Sequence, residues 1–417
     1  MIDILVPKLT GYDRTLVPPP DKSISVRAVI ALSFAVGNAR VSNISHCDDV
    51  MSAVDCMRRL GSNIRIEGGD AYIEGAPFTS GTLFCGNSAT AARILIGLLS
   101  GLNGVFTVDG DDSLRSRPMD RIIEPLTAMG ARLQSDNGRL PVKITGGALR
   151  GIDYKMPIAS AQVKSALLFA GLNAAGSVSV TEKVKTRDHT EIMLNHLNAR
   201  VNTAGNTVTV SPSVLYSRDI DVPGDISAAV YPMCTALCLG GRCSIKRVGL
   251  NGTRTAVLDL LREIGASVTV ENRVEAVEPY GDVTVAKKGK LVPFNIDGAR
   301  AALMIDEIPV LCALACHIDG TSVISGAEEL RNKESDRIAA TVKMLRAMGA
   351  HVEERTDGMV IHGGSKLEIG RVETFGDHRI AMSAAVAGCV NGVVISDAEC
   401  VNVSYPRFFE EVIGVYV

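Results

Sequence analysis

The pattern of apolar and polar positions alternates between two kinds of helical segment. The first kind is apolar nearly all round, rich in Ala, and followed by Gly and a short β-branched run. It covers Ser23–Val36, Ala89–Ser100, Gln162–Ala175, Ala228–Leu239, Pro309–His317 and Ile380–Val390. A helix with no polar face has to be buried. The runs after these helices are Ala39–Ile44, Val105–Val108, Ser177–Val180, Cys243–Ile245, Thr321–Ile324 and Val393–Ile395, and they read as strands. The second kind of helix is two-faced and ends in a corner: Leu60-Gly61, Met129-Gly130, Leu197-Asn198, Ile264-Gly265 and Met348-Gly349. An alternating strand and a turn such as Asp136-Asn137-Gly138 follow, so these helices cover a sheet with one side.

The two kinds together define a β-α-β-α-β-β unit that recurs every roughly 65–85 residues, longer than the ~20–50 of open solenoids. The sixth copy stops at Phe408–Gly414, and the N-terminal strand Asp3–Leu9 could complete it. Six units with buried helices at their centres predict an α/β protein of two globules with three units each. The division falls near Val222-Pro223-Gly224, giving 20–223 as one globule and 1–19 plus 224–417 as the other. The chain would then cross between them twice.

Composition narrows the function. The chain has 417 residues and a net charge of −3, which excludes a strongly basic nucleic-acid binder. With no Trp and 4% aromatic residues, the core is aliphatic. The longest apolar stretches, such as Ala28–Val36, fall short of the ~18–20 residues of a spanning helix. The start, Met1–Val6, carries Asp3 and no basic leader, so a cytoplasmic protein without membrane contact is expected. Ten Cys lie mostly in apolar segments. Cys234/Cys238 and Cys312/Cys316 are spaced for one helix face but lack further ligands at zinc-like spacing, so they read as small buried thiols.

Chemistry gathers where the buried helices begin: Asp21-Lys22-Ser23, Gly86-Asn87-Ser88-Ala89-Thr90, Ser160-Ala161-Gln162, Gly224-Asp225-Ile226-Ser227, Asp306-Glu307 and Asp377-His378-Arg379. Ser, Asp and Asn there are N-caps worth ~1 kcal/mol each, which would account for Asp225 and Ser227 in full. Capping does not explain Lys22 or Arg379, because a cation opposes the helix dipole at that end. A bound anion would remove the conflict. Cations are also dense in Ser113–Arg121 and Glu328–Arg337. Such runs read either as solvated charged faces or as a cleft where Arg binds phosphate while carboxylates move protons. P-loop, dinucleotide-binding and serine-elbow motifs are missing, and His189 in Thr186–Glu191 has no serine elbow to serve. Cofactor-free transfer between small anions fits what remains.

These motifs resemble the 5-enolpyruvylshikimate-3-phosphate synthase family, the 3-phosphoshikimate 1-carboxyvinyltransferases of aromatic amino-acid biosynthesis. The resemblance spans nearly the whole chain. It rests on Asp21–Arg27, Gly86–Thr90, Arg115–Met119, Ser160–Ser165, Arg187–Glu191, Asp306-Glu307, Arg331–Arg337, Asp377–Met382 and Ser404-Tyr405-Pro406. It implies the two-domain enolpyruvyl transferase fold, an active site in the cleft between the domains, and no metal or organic cofactor. Shikimate 3-phosphate would be held mainly by the first globule, through Lys22, Ser23, Arg27, Ser160, Ala161, Gln162 and Arg187, with Asp306 and Lys333. Phosphoenolpyruvate would meet Lys22, Ala89, Arg117, Gln162, Arg337 and Arg379. Lys22, Arg27, Arg117, Lys333, Arg337 and Arg379 would answer the phosphates and carboxylates of both substrates. Asp306 would be the base for the 5-hydroxyl, and Glu334 or Lys22 would protonate the methylene carbon. The family is usually monomeric, and repulsion among clustered cations implies a free form that closes on the first anion.

Two features depart from the common family pattern. Ala89 stands where many members have Gly, which implies reduced sensitivity to glyphosate. The segment before Ser404-Tyr405-Pro406 lacks the Lys of some members, so no role for it carries over. The sister transferase acting on UDP-N-acetylglucosamine has a reactive Cys before its Arg-Pro, whereas Asp111–Pro118 contains none. A non-catalytic anion-binding repeat protein would be expected to lose some of Lys22, Asp306, Glu334 and Arg379, and all four are present. RNA 3′-phosphate cyclase shares a related repeat but requires a catalytic His motif not found here.

Overall fold

The computed structural model describes residues 2–416. It divides into two compact units: the first globule, Pro20–Val222 with Ala276–Glu278, and the second, Met1–Pro19, Pro223–Glu275 and Pro279–Val417. Each closes a separate aliphatic core, one running from Ile24 to Val222 and one from Ile4 to Ile413.

Six buried helices form the centres of the repeats: α1 (Lys22–Phe34), α2 (Ala89–Ser100), α3 (Ala161–Gly171), α4 (Ile226–Cys238), α5 (Ile308–Ala315) and α6 (His378–Gly388). All residues of α5 and α6 are buried, as is every residue of α4 from Ile226 to Leu237. That is the burial their all-round apolar sequence requires. Five of the six C-terminal ends fall short of the pattern, that of α3 by the most. α1 stops at Phe34 because Val36 leaves the helix to donate to Leu215 O at 2.9 Å. α3 stops at Gly171, not at Ala175; a Cβ on Gly171 would lie 2.5 Å from Val210 Cγ1, so the sheet packs directly on the helix end.

The sheets repeat one plan. Gly81–Phe84 runs parallel to Gly104–Asp109, which pairs antiparallel with Arg139–Gly146, which pairs with Arg132–Asp136. α2 and the two-faced helix Asp120–Ala128 make the connections, so the chain reads β-α-β-α-β-β. Among the described residues five sheets have four strands and one has three. In the three-stranded sheet the N-terminal strand completes the last repeat, Ile4 opposite Ile395. It covers Ile4–Val6 only, since Pro7 has no N–H to extend the ladder. The sixth two-faced helix is a π-helical turn, Phe409–Ile413. Corner residues sit in the left-handed region: Gly61 at φ 114°, and Asn198 at φ 71° in the copy without glycine.

One feature was not legible in the pattern. The repeats at the two chain crossings take their first strand from elsewhere. Asn38–Ser42 pairs in parallel with Ile220–Asp221, and Arg242–Gly249 with Asp13–Leu16. The strands leading into α1 and α4 have thus exchanged places, and two residues at 220–221 are too short to announce a strand.

α2 and α3 pack closely, so that a Cβ on Gly97 would lie 2.1 Å from the Ala166 carbonyl oxygen. Gly97→Ala is expected to destabilise the first globule by about 1–3 kcal/mol through overpacking. Gly147→Ala, whose Cβ would lie 3.5 Å from Arg132, serves as the tolerated control. Calorimetry of both variants measures the difference.

Candidate active site

In the first globule, three buried helices aim their N-termini at one group of polar side chains. Asp21 caps α1, accepting from Ile24 N at 2.9 Å, and Lys22 opens the helix with its Nζ 2.9 Å from Asp49 Oδ2. Ser23 follows, and its carbonyl accepts from Arg27 Nη1 at 2.8 Å. Arg27 is buried and also donates to Thr190 Oγ1 at 2.8 Å and to Ser165 Oγ at 3.1 Å. All three acceptors are uncharged. Burial first, and the neighbouring Arg187 second, push the guanidinium down to about 10. A buried cation held only by neutral oxygens is stabilised by any anion that reaches it.

α2 and α3 are joined by their first turns. Ser160 caps α3, accepting from Val163 N at 3.4 Å, and Ala161 and Gln162 follow. The Gln162 amide donates to Thr90 Oγ1 at 3.0 Å and its oxygen accepts from Arg93, which donates onward to Pro118 O at 3.0 Å. Arg117, next in the chain, is buried and donates to Asn87 Oδ1 and to Ser113 Oγ at 3.3 Å. Ala89 is the first residue of α2, one position before Thr90, and is 6% exposed. His189 is structural: its Nδ1 lies 2.7 Å from Glu278 Oε1, and both side chains are buried.

In the second globule the reaction candidates surround one guanidinium. Arg337 is 1% exposed. It donates through Nη1 to Asp306 at 3.0 Å, through Nη2 to Glu334 at 2.6 Å, and through Nε to Asp377 at 2.8 Å. Burial would lower its pKa, but Asp377, Glu334 and Asp306 outweigh burial and hold it above the usual arginine value. Lys333 Nζ lies 3.7 Å and Arg379 Nη2 4.0 Å from Asp306. Arg379 is likewise held well above its usual value: burial opposes, and Tyr231, Asp306 and Glu307 prevail. Burial pushes the Tyr231 phenol up to about 12, with Arg379 pulling the other way. Asp377 caps α6, accepting from Arg379 N at 2.9 Å, and holds Ser335 Oγ at 2.9 Å.

The five predicted residues of this globule, Asp306, Lys333, Glu334, Arg337 and Arg379, thus form one cluster. Asp49 and Asp306 supply internal partners for Lys22 and Arg379, the two cations that oppose a helix dipole. The cysteine pairs Cys234/Cys238 and Cys312/Cys316 lie on α4 and at the end of α5; burial pushes up the thiols of Cys234, Cys312 and Cys316, and the Cys238 thiol is raised first by its hydrogen bond with Cys389 and then by burial. Capping does not account for Ser227 in full. Asp225 does cap α4, but Ser227 Oγ donates to Glu307 and accepts from Arg254 Nη2 at 2.6 Å.

The chain matches, over residues 9–412, the family model described as EPSP synthase (3-phosphoshikimate 1-carboxyvinyltransferase). It belongs to this family. It is 44% identical to the 3-phosphoshikimate 1-carboxyvinyltransferase of Shouchella clausii over 414 residues, 96% of each chain. It is 41% identical to that of Bacillus cytotoxicus over 413 residues, 96% of this chain and 97% of the other. The solved EPSP synthase of Acinetobacter baumannii superposes with a TM-score of 0.84 at 38% identity, covering 98% of this chain and 96% of that one. The enolpyruvyl transferase NikO of Streptomyces tendae shares the fold, with a TM-score of 0.79 at 16% identity over 99% of this chain and 97% of that one.

Sequence reasoning missed Arg93, Asp49, Ser165, Thr190 and the carboxylate role of Asp377. Arg93 left a signal, being the lone cation inside the apolar stretch Ala89–Ser100. Asp49 left none, because acidic residues are ordinary in a first helical turn.

Arg337→Met strands three carboxylates around a buried position. It is expected to destabilise the second globule by about 3–5 kcal/mol. Arg407→Ala, which removes exposed ion pairs to Glu410 and Glu411, should change stability by less than ~1 kcal/mol. Urea unfolding of the two variants tests the contrast.

Proposed function

We propose that the protein transfers the enolpyruvyl group of phosphoenolpyruvate to the 5-hydroxyl of shikimate 3-phosphate and releases inorganic phosphate. The observation that carries this reading is the second-globule cluster, where two carboxylates, Asp306 and Glu334, share the guanidinium of Arg337. An addition–elimination needs a base at the hydroxyl, an acid at the methylene carbon, and fixed cations for the charge that develops. Family membership supplies the substrate class.

In this reading, Lys22, Ser23, Arg27, Ser160, Ala161, Gln162 and Arg187 hold shikimate 3-phosphate, with Asp306 and Lys333 from the second globule. Lys22, Ala89, Arg117, Gln162, Arg337 and Arg379 hold phosphoenolpyruvate, and the two half-sites act on one substrate pair. When the phosphoenolpyruvate carboxylate takes the Nη1 bond of Arg337, it displaces Asp306. Asp306 is then free to accept the proton of the 5-hydroxyl as the oxygen attacks C2. Glu334 or Lys22 delivers a proton to C3, giving a tetrahedral adduct. Loss of a proton from the resulting methyl group and departure of phosphate restore the double bond. No redox step occurs. The rate derives from orientation and preorganised charge. Ten cysteines, all free, support a reducing cytoplasm. Among the described residues no helix is long and apolar enough to cross a membrane.

Phosphate release from phosphoenolpyruvate should require shikimate 3-phosphate and should not occur with UDP-N-acetylglucosamine. Asp306→Ala should lower kcat by about 10²–10⁴-fold; an undiminished rate would remove Asp306 from the chemistry.

We further propose that the Ala89 methyl group narrows the phosphoenolpyruvate pocket against glyphosate. Ala89→Gly should lower the half-inhibitory glyphosate concentration by about 10–200-fold, the range one misplaced methyl commands. Inhibition assays at fixed phosphoenolpyruvate measure it.

A further inference from the structure

One group of metal-ligating side chains lies apart from the reaction cluster. The sheet of the second globule that contains Gly320–Ile324, Gly358–Gly363 and His351–Arg355 places His362 on its middle strand. Thr321 stands directly opposite His362 on one flanking strand and His351 directly opposite on the other. Glu353, two residues from His351, shares that face by strand alternation. The intervening Val352 points into the core and is 2% exposed, so His351 and Glu353 face outward.

The ligand atoms of His351, Glu353 and His362 all lie within 4.8 Å of one another. His362 Nε2 is 2.9 Å from Glu353 Oε1, and the two imidazole rings stack with centroids 4.3 Å apart at 23°. On its other side, His362 Nδ1 is 3.2 Å from Thr321 Oγ1. That contact is the kind of outer-shell partner that fixes an imidazole tautomer and presents the opposite nitrogen to a metal.

We propose that His351, Glu353 and His362 form a surface site for one divalent transition-metal ion of the zinc, cobalt or nickel class. The ion replaces the proton between His362 Nε2 and Glu353, His362 Nδ1–H donates to Thr321, and His351 supplies the third ligand. A tetrahedral ion with bonds of ~2.0–2.1 Å needs ligand atoms roughly 3.3 Å apart. Rotation of the exposed side chains closes that gap while the three-strand ladder stays fixed. Two imidazoles and one carboxylate select against calcium and magnesium, which prefer all-oxygen sites. The fourth position is left to water.

The site is separate from the proposed reaction. Arg331, which pairs with the Asp336 cap of the reaction-cluster helix, grips the far end of the same hairpin at Arg355 O, 2.7 Å away. His351 lies four residues back along that strand, about 13 Å at the usual strand rise.

The test is titration of the full-length, tag-free chain with CoCl₂, followed by competition with ZnCl₂. The expected result is one cobalt per chain with visible d–d bands and no thiolate charge-transfer band. His351→Gln and His362→Gln should each weaken uptake at least about tenfold, and Glu353→Gln should weaken it too, while circular dichroism and phosphate release stay unchanged. Absent saturable uptake, uptake surviving in the His351→Gln/His362→Gln double variant, or a thiolate band would each overturn the site. None of these outcomes bears on the proposed transferase activity, which is read separately.

Discussion

Burial of helices that are apolar on every side constrains the rest of this molecule. Such a helix has no face to offer water, so its polar chemistry gathers at its ends, and cations inside it such as Arg27 and Arg93 are buried and hydrogen-bonded. The sequence uses the N-terminal ends, where free backbone N–H groups and the helix dipole already favour negative charge. Lys22 on α1, Ala89 and Thr90 on α2, Gln162 on α3 and Arg379 on α6 occupy the first turns of buried helices. Adding cations there makes each end a poor resting place unless an anion or a carboxylate answers it.

The two globules answer that charge differently. In the second, carboxylates of the chain itself do so: Arg337 is matched by Asp306, Glu334 and Asp377, and Arg379 lies against Asp306. In the first, Arg27 rests on hydroxyl and carbonyl oxygens with no carboxylate bonded to it, and it is crowded by Arg187. Lys22 in the first globule has a carboxylate partner of its own, Asp49, so the difference rests on Arg27, whose hydrogen bonds all go to uncharged oxygens. This difference follows from counting partners of named side chains.

Legibility of the site followed the same logic. Lys22 and Arg379 stood out because a cation at a helix start conflicts with what capping and the helix dipole favour, whereas Asp306 was marked only by the family resemblance. Arg93 could have been found as a guanidinium inside an apolar helix. Asp377 and Asp49 could not, since a carboxylate at a helix start looks the same whether it caps, pairs with a buried cation, or does both. Asp377 does both. Ser227 shows the opposite error: a residue type common at helix starts serves a buried Arg254–Glu307 link instead.

Local pattern alone determined the six-fold repeat, the two helix types, the aliphatic cores and the N-terminal strand that completes the last unit. Each of these depends on the period and polarity of neighbouring residues, which the chain states directly. Tertiary structure decided the strand exchange at the two crossings, because the pairing of Ile220–Asp221 with Asn38–Ser42 joins segments far apart in sequence through backbone hydrogen bonds that no side chain specifies. It also decided where α3 ends, since Gly171 continues a helix as far as its own sequence shows and is stopped by Val210 packing on it from a distant strand. Which carboxylates surround Arg337 belongs to the same class: the partners come from three separate loops, and only folding sets their distances.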